Sequence, residues 1–209
     1  MNIGIFGAGN VGGTLGKGWA KKGHTVRYGV REPKSAKTQA VVEATGAGAS
    51  AAGMAELSGW SEVLVLATPW PATRDALGQA GELSGKVLLD CTNPLNENLG
   101  LDVGYSTSGA EIVAGWAPGA RVVKIFNTTG SPNMANPKYG GEAATMFYCG
   151  DDGEAKQIAH QLAADIGFDP VDAGGLTQAR LLEPLAMLWI SMAVLQKKGT
   201  GMALKLMRR

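Results

Sequence analysis

The sequence predicts an α/β protein of the Rossmann type, with a doubly wound, mostly parallel sheet and a short helical C-terminal extension. Three observations support this fold class. An apolar run at residues 3–6 leads directly into the glycine-rich turn Gly-Ala-Gly-Asn-Val-Gly at residues 7–12, and an amphipathic stretch follows. Apolar runs and helical stretches then alternate along the chain, which is typical of βαβ units. Finally, 209 residues with 45% hydrophobic residues suit one α/β domain with an ample core.

In the first half of the chain we expect four strands with helices between them. The first helix ends at Gly23, because glycine readily adopts the left-handed conformation that stops a helix. Pro33 opens the second helix, where its missing N–H group does no harm. The predicted strands cover residues 3–6, 24–30, 62–67 and 86–91, and the predicted helices cover residues 10–22, 33–45, 51–58 and 71–80.

The second half continues the alternation but contains two long polar loops. These loops cover residues 92–107 and 127–141, and loops of that length usually carry function. Predicted strands cover residues 121–126, 143–149 and 168–172, and predicted helices cover residues 108–116, 152–166 and 177–197. We find no linker or internal repeat, so we assign residues 1–209 to a single domain with a C-terminal helical segment at about 176–209.

The glycine-rich turn at residues 7–12 predicts a dinucleotide site. Gly7 permits the tight turn, Gly9 lets backbone N–H groups approach a pyrophosphate, and Gly12 lets the helix pack on the strand. Asn10 and Val11 begin the helix, whose N-terminus offers unpaired donors and partial positive charge. The alternative is a purely structural turn.

The residues after the second strand favour NADP over NAD. An acidic residue at this point hydrogen-bonds the ribose 2′-OH of NAD, whereas a basic residue accommodates the 2′-phosphate of NADP. Here Arg31 stands at the strand end, and Lys34 follows one turn later as a second cation. The alternatives are that both are solvated surface charges, or that Glu32 turns toward a ribose.

Three further loops leave the carboxyl ends of strands, where open α/β sheets bind ligands. Trp70 could pack along the nicotinamide ribose or cap the sheet. Lys124 is either a proton donor or a structural strand residue. The cofactor-binding candidates in these loops are Thr68, Pro69, Trp70, Asn93, Pro94, Asn127, Thr128 and Thr129.

No acid or base for a carbonyl substrate is evident, and the catalytic residues are therefore unassigned. His24 opens a strand, His160 lies in a late helix, and none of the four tyrosines has a lysine four residues on. We find no metal-ligand cluster. Transfer of hydride between two redox cofactors needs little beyond their orientation, because the cofactors carry the chemistry.

Charge and composition limit the partners. A net charge of +1 argues against nucleic acid or an acidic membrane surface as a partner. The apolar run at residues 181–195 contains Glu183 and Pro184, and we expect it to be too short to span a bilayer. Cys91 and Cys149 are expected to be buried free thiols of a cytoplasmic protein. Apolar residues on more than one face of the last helix predict a homodimer.

The chain resembles the NADP oxidoreductases that use the deazaflavin coenzyme F420, and also the cytosolic domain of six-transmembrane metalloreductases, which reduces a flavin with NADPH. The resemblance implies that Asn10, Val11, Arg31 and Lys34 hold NADP, and that residues 127–131 and the Gly201 region border a second cofactor. The matching segments are residues 7–12, Arg31 with Lys34, and residues 68–70, 105–111, 149–152, 172–174, 179–183 and 199–201.

One position departs from the archaeal pattern, because Asn127 stands where the archaeal deazaflavin enzymes carry a histidine. This leaves F420, FMN and FAD as alternative hydride acceptors. We therefore expect an NADP-dependent oxidoreductase that transfers a hydride between NADPH and a deazaflavin or flavin. The alternatives are a reductase of small carbonyls or imines with a site built by a dimer, and an NADPH-sensing module without turnover.

Overall fold

A computed structural model describes all residues from 1 to 209. The strands are β1 (Asn2–Phe6), β2 (Thr25–Gly29), β3 (Ser50–Ala52), β4 (Val63–Leu66), β5 (Val87–Asp90), β6 (Arg121–Lys124), β7 (Lys138–Tyr139), β8 (Glu142–Ala143), β9 (Thr145–Gly150) and β10 (Asp169–Asp172). The helices are α1 (Asn10–Ala20), α2 (Ala36–Thr45), α3 (Leu57–Trp60), α4 (Trp70–Gly78), α5 (Gly109–Trp116), α6 (Ser131–Ala135), α7 (Gly153–Asp165) and α8 (Ala179–Ile190).

Eight strands form one sheet in the order β10-β9-β6-β5-β4-β1-β2-β3. The first six strands are mutually parallel, and their order 3-2-1-4-5-6 is that of a dinucleotide-binding Rossmann fold. β9 runs antiparallel to β6, and β10 runs parallel to β9. The predicted fold class is confirmed. The strand order reverses between β1 and β4, so a crevice for ligands is expected above these two strands.

The sheet is buried on both faces, and its central strand β4 is apolar at every position. Val63 and Val65 of β4 belong to the core cluster that packs under α1 and α7, together with Trp19. Leu64 and Leu66 belong to the cluster on the opposite face. Side chains alternate between faces along a strand, so one continuous apolar run supplies both cores.

Several predicted boundaries are wrong, and each has a local reason. Pro33 does not open the second helix, because the Ser35 hydroxyl accepts a hydrogen bond from the Thr38 N–H at 3.3 Å and starts α2 at Ala36. The helix predicted for residues 51–58 is replaced by edge strand β3, a 3₁₀ turn (Met54–Glu56) and α3. The predicted loop at 127–141 contains α6 and most of a two-stranded hairpin, in which β7 pairs with β8.

The last helix has nearly the extent that the sequence predicted, residues 177–197. α8 continues into a π-helical turn (Ser191–Leu195), and the stretch Leu176–Leu195 has 20 residues and a mean hydropathy of 1.2. By length and composition alone it can cross a membrane, so the expectation that this run is too short is wrong. A core helix passes the same test, and Leu182, Glu183, Ala186 and Trp189 are buried against the rest of the protein.

Candidate active site

The glycine turn has the geometry that a pyrophosphate requires. Gly7 has φ +99°, a conformation that side chains disfavour, and a Cβ there would lie 2.9 Å from the Ala67 carbonyl oxygen. A Cβ on Gly12 would collide with the Gly7 carbonyl oxygen. A Cβ on Gly9 would meet nothing within 4 Å, and Gly9 starts α1 without any side-chain cap. The helix N-terminus is thus open to a ligand's oxygens, and these residues fit a dinucleotide.

Two pockets meet above the switch point. The first, which we call the Arg31 pocket, has a volume of about 430 Å³. The second, which we call the Asn93 pocket, has a volume of about 400 Å³. The two share Gly9, Ala67, Thr68 and Pro69, so they form one continuous trough across the ends of β1 and β4. Its length suits an extended two-part ligand.

Two basic residues line the Arg31 pocket, and only one of them, Arg31, was predicted from the sequence. Arg31 lines it and lies 3.5 Å from Asp75 of α4. Lys37 and Thr38, in the first turn of α2, line the pocket, whereas Lys34 is not among the lining residues. The start of α2 at Ala36 explains the exchange, because Lys34 precedes the helix that faces the pocket. A correct helix boundary would have identified Lys37 from the sequence.

The Asn93 pocket is mostly apolar. Val11, Trp70 and Leu95 line it, and so does Cys91, whose pKa is raised by burial and by the nearby Asp90 carboxylate. Trp70 stacks on Trp116 of α5 with ring centroids 5.3 Å apart, so it both lines the pocket and packs α4 on α5. Trp70 is therefore accessible from the pocket and also has a packing role, while its contact with a nicotinamide ribose stays a prediction.

Thr68, Pro69, Asn10 and Asn93 line the same pocket, whereas Pro94 is buried and does not. Cys149, the other thiol, is buried and free, and burial raises its pKa to about 12.

Asn127 connects three segments at the edge of the site. Its Nδ2 donates to Asn93 Oδ1 at 3.1 Å and to the Leu182 carbonyl of α8 at 3.1 Å, while Asn93 Nδ2 donates to the Asn127 carbonyl at 2.9 Å. Asn127 Oδ1 is buried and has no hydrogen-bond partner. The preceding residue, Phe126, holds a strained φ of +63°. Asn127 is 3% exposed and lines neither the Arg31 pocket nor the Asn93 pocket, so it acts on the site through Asn93.

Thr128 and Thr129 do not line the Asn93 pocket. The Thr128 side chain is buried beside Met146. The Thr129 hydroxyl accepts a hydrogen bond from Asn133 Nδ2 at 2.8 Å, and the same amide donates to the carbonyl of Met202 in the C-terminal segment. The loop after β6 therefore contacts the segment near Gly201, as the resemblance implied for the second-cofactor side.

Lys124 is fully buried and forms ion pairs rather than facing the cleft. Its Nζ lies 3.0 Å from Asp90 Oδ2 and 2.9 Å from Glu183 Oε1. Burial alone would lower its pKa, but the two carboxylates raise it by more, so the pKa of Lys124 is above its ordinary value. A buried, strongly held proton is unsuited to donation. Sequence reasoning missed Asp90 and Glu183, because single carboxylates in an apolar strand and helix carry no motif.

The two histidines lie outside the trough. His24 Nε2 is 3.0 Å from Asp165 of α7, and His160 Nδ1 is 3.2 Å from the Tyr148 hydroxyl. Both join α7 to neighbouring strands. Neither lines the Arg31 or the Asn93 pocket.

Comparison with known proteins shows which family model, relatives and solved structures the chain is similar to. Residues 2–94 match the family model described as "NADP oxidoreductase coenzyme F420-dependent". The F420-dependent NADP reductase of Methanothermobacter marburgensis is 29% identical over 210 residues, which cover 93% of each chain. A crystal structure from Arthrobacter sp. FB24, provisionally described as an F420-dependent NADP reductase, has a TM-score of 0.89 at 29% identity and 99% coverage of both chains.

The first 94 residues thus match the model of F420-dependent NADP oxidoreductases, and two relatives that align over nearly the whole of both chains carry a similar description. These matches support an NADP-dependent oxidoreductase. Metalloreductase STEAP3 of Rattus norvegicus is 30% identical over 186 residues, and this chain spans 36% of its length. The reductive aminase of Aspergillus terreus, at 22% identity and a TM-score of 0.69, shares the fold over 62% of its length.

Proposed function

We propose that this protein transfers a hydride between NADPH and a deazaflavin (F420) or flavin (FMN or FAD). The observation that carries the proposal is the chemistry of the Asn93 pocket. Its lining contains no histidine, tyrosine, lysine or carboxylate, and the thiol of Cys91 has a raised pKa. Reduction of a carbonyl needs a positioned acid, whereas two stacked cofactors need orientation and exclusion of water.

In this proposal NADPH supplies the hydride, and the protein binds and orients the two partners. The glycine turn at residues 7–12 and Asn10 receive the pyrophosphate, and Arg31 and Lys37 receive the 2′-phosphate. Lys34 contributes at longer range. Val11, Thr68, Pro69 and Trp70 border the nicotinamide. The acceptor side is shaped by Asn93 and Asn127, by the buried residues Pro94 and Thr128, and by the half-buried Thr129.

The family relation supports the proposal without fixing the acceptor. Two relatives that match nearly the full length of both chains carry F420 in their names. The metalloreductase relatives are much longer, so their activity transfers to this chain only as a proposal.

The proposal is tested with a panel of acceptors and NADPH oxidation as the readout. We expect NADPH consumption with F420, FMN or FAD, and none with cyclohexanone alone or with cyclohexanone and methylamine. Turnover of the carbonyl or imine mixture without a flavin would instead support the small-substrate reductase. Tight NADPH binding without oxidation by any acceptor would support a sensing module and contradict the proposal.

A further inference from the structure

A buried network of three charged side chains lies beneath the trough. The ammonium group of Lys124 donates to Asp90 Oδ2 and to the Thr92 carbonyl, and it pairs with Glu183 Oε1. All three charged side chains have no solvent exposure. Each proton of the ammonium group thus has an acceptor from a different segment: the end of β5, the loop after β5, and α8.

Each carboxylate has further partners that extend the network. Asp90 Oδ1 accepts from the Thr92 N–H at 2.9 Å and from the Thr92 hydroxyl at 2.7 Å. Glu183 accepts from the Gly109 N–H at 2.8 Å and the Ala110 N–H at 3.1 Å, in the first turn of α5. One positive and two negative charges would leave an excess of negative charge, which the N-terminus of α5 offsets.

Stability alone is a weak explanation for this arrangement. Burying three charges costs desolvation, and replacing buried ion pairs by apolar residues is often neutral or stabilising. What the network does supply is a fixed spatial relation between segments. We infer that its role is to hold those segments in one geometry.

The segments that it holds are those that border the reaction. Thr92 lines the Asn93 pocket and is held by Asp90 and Lys124. On α8, Glu183 is held by Lys124, and the neighbouring Leu182 carbonyl is held by Asn127. The loop after β5 and the last helix are therefore attached to the end of β6 by two adjacent connections.

α8 in turn places the C-terminal segment. Trp189 packs so closely on the loop after β6 that a Cβ on Gly130 would lie 2.5 Å from its ring. The Trp189 Nε1 donates to the Met202 carbonyl at 2.7 Å, and Asn133 donates to the same carbonyl at 2.8 Å. The position of residues 199–203 thus depends on the position of α8, whereas hydrogen bonds to Thr145 hold Leu204 and Leu206 on β9.

We propose that Lys124 is a positioning residue, which fixes the Thr92–Asn93 loop relative to α8 and the C-terminal segment. In this way it sets the distance between the nicotinamide and the hydride acceptor. A displacement of about 1 Å in such a geometry can lower the rate about 100-fold. The kinetic part of this inference rests on the proposed function, while its structural part does not.

The test uses the double variant Lys124→Met/Glu183→Gln, which removes one charge of each sign and keeps the net charge of the network unchanged. The remaining carboxylate, Asp90, loses its cation and keeps its two hydrogen bonds from Thr92. The control is Lys156→Met/Asp172→Asn, which removes an ion pair of 2.9 Å between α7 and β10, away from the trough. We expect kcat for the accepted flavin or deazaflavin to fall 10- to 100-fold, while the Kd of NADPH changes less than threefold. The control should keep both values.

Hydrogen exchange supplies the readout that needs no acceptor. In the double variant, amides of residues 92–95 and 199–203 should exchange at least tenfold faster, and in the control they should not. If the double variant does not fold, the isosteric Glu183→Gln variant replaces it, with the same expected direction for residues 199–203. Unchanged exchange, or a folded variant with kcat within threefold of the original, would overturn the inference. If the original protein reduces no acceptor, the proposed function is contradicted. In that case the hydrogen-exchange rates alone test the positioning role of Lys124.

Discussion

At the scale of single residues, recognition of the 2′-phosphate depends on two cations that face one pocket. Arg31 and Lys37 line the Arg31 pocket, and Lys34 does not. Asp75 lies 3.5 Å from Arg31 and is itself exposed, so it competes weakly for the guanidinium. The sequence identified Arg31 but named Lys34 as its companion, because the start of α2 was placed three residues too early.

Arg31→Ala should weaken NADPH binding by about 1.5–3 kcal/mol, roughly 10- to 100-fold, because a charge-assisted contact to the phosphate is lost. NADH lacks that phosphate, so its affinity should barely change. Titration of both dinucleotides against the protein measures the difference. Equal losses for the two would contradict the role of Arg31.

Lys37→Ala and Lys34→Ala form a matched pair that removes the same charge at neighbouring positions. The structure predicts that Lys37→Ala weakens NADPH binding severalfold and that Lys34→Ala has a smaller effect, because only Lys37 lines the pocket. The same titration decides. A larger loss for Lys34→Ala would show that the first turn of α2 is placed incorrectly relative to the ligand.

At the scale of elements, the turn between β1 and α1 contains glycines of two kinds. The fold requires some of them, and we propose that ligand binding requires another. Gly7 and Gly12 have no room for a Cβ, whereas Gly9 faces open space in an ordinary extended conformation. The sequence motif predicted the turn role of Gly7 and the packing role of Gly12, which the structure shows, while the approach of a pyrophosphate at Gly9 stays a prediction.

Gly9→Ala should fold normally but bind NADPH at least tenfold more weakly, since its new methyl group occupies the space through which a pyrophosphate approaches the backbone. Thermal unfolding and NADPH titration measure the two properties separately. Gly12→Ala is the control for the packing role and should lower the melting temperature. Full NADPH affinity in a folded Gly9→Ala protein would contradict the assignment of the turn.

A second element-scale contact joins α5 to α8. Arg180 donates two hydrogen bonds to the Glu111 carboxylate, at 2.6 and 2.9 Å, and these bonds lower the pKa of Glu111. A lowered pKa contributes stability that is present above the ordinary pKa of about 4.3 and is lost as the pH falls through the folded-state value.

Glu111→Gln should therefore lower the melting temperature by a few degrees at pH 7, because the charged partner of Arg180 is removed. The difference from the original protein should shrink as the pH falls below about 4.3, where Glu111 becomes protonated in the unfolded chain, and should disappear below the lowered folded-state pKa, where it is protonated in both states. Melting curves between pH 3 and pH 7 test this. A difference that stays constant over that range would contradict the electrostatic origin.

At the scale of the whole molecule, the five longer parallel strands β1, β2, β4, β5 and β6 could be predicted from the sequence, because apolar runs, glycine turns and amphipathic helices alternate along the chain. The small elements could not be predicted: β3 has three residues and the β7–β8 hairpin has four. Such short strands are fixed by tertiary pairing rather than by local pattern. Likewise, the Lys124 network joins residues 34 and 59 positions apart, which no local motif records.

The exposed side of the last helix supports the predicted homodimer, which we propose forms across α8. Leu181, Leu188 and Leu195 are 66%, 53% and 54% exposed and recur every seven residues, as at a helix-pairing surface. Light scattering after size exclusion should give twice the mass of the chain. Leu188→Lys should shift the protein toward monomer, and a monomeric original protein would contradict the proposal.

The most direct test of the central claim is one anaerobic turnover. The protein and NADPH are mixed with F420, FMN or FAD in separate experiments, and the absorbance of each acceptor is followed together with that of NADPH. The account predicts that at least one acceptor is reduced, with one NADPH oxidised for each acceptor molecule reduced. Bound NADPH that reduces none of the three would contradict hydride transfer to a deazaflavin or flavin.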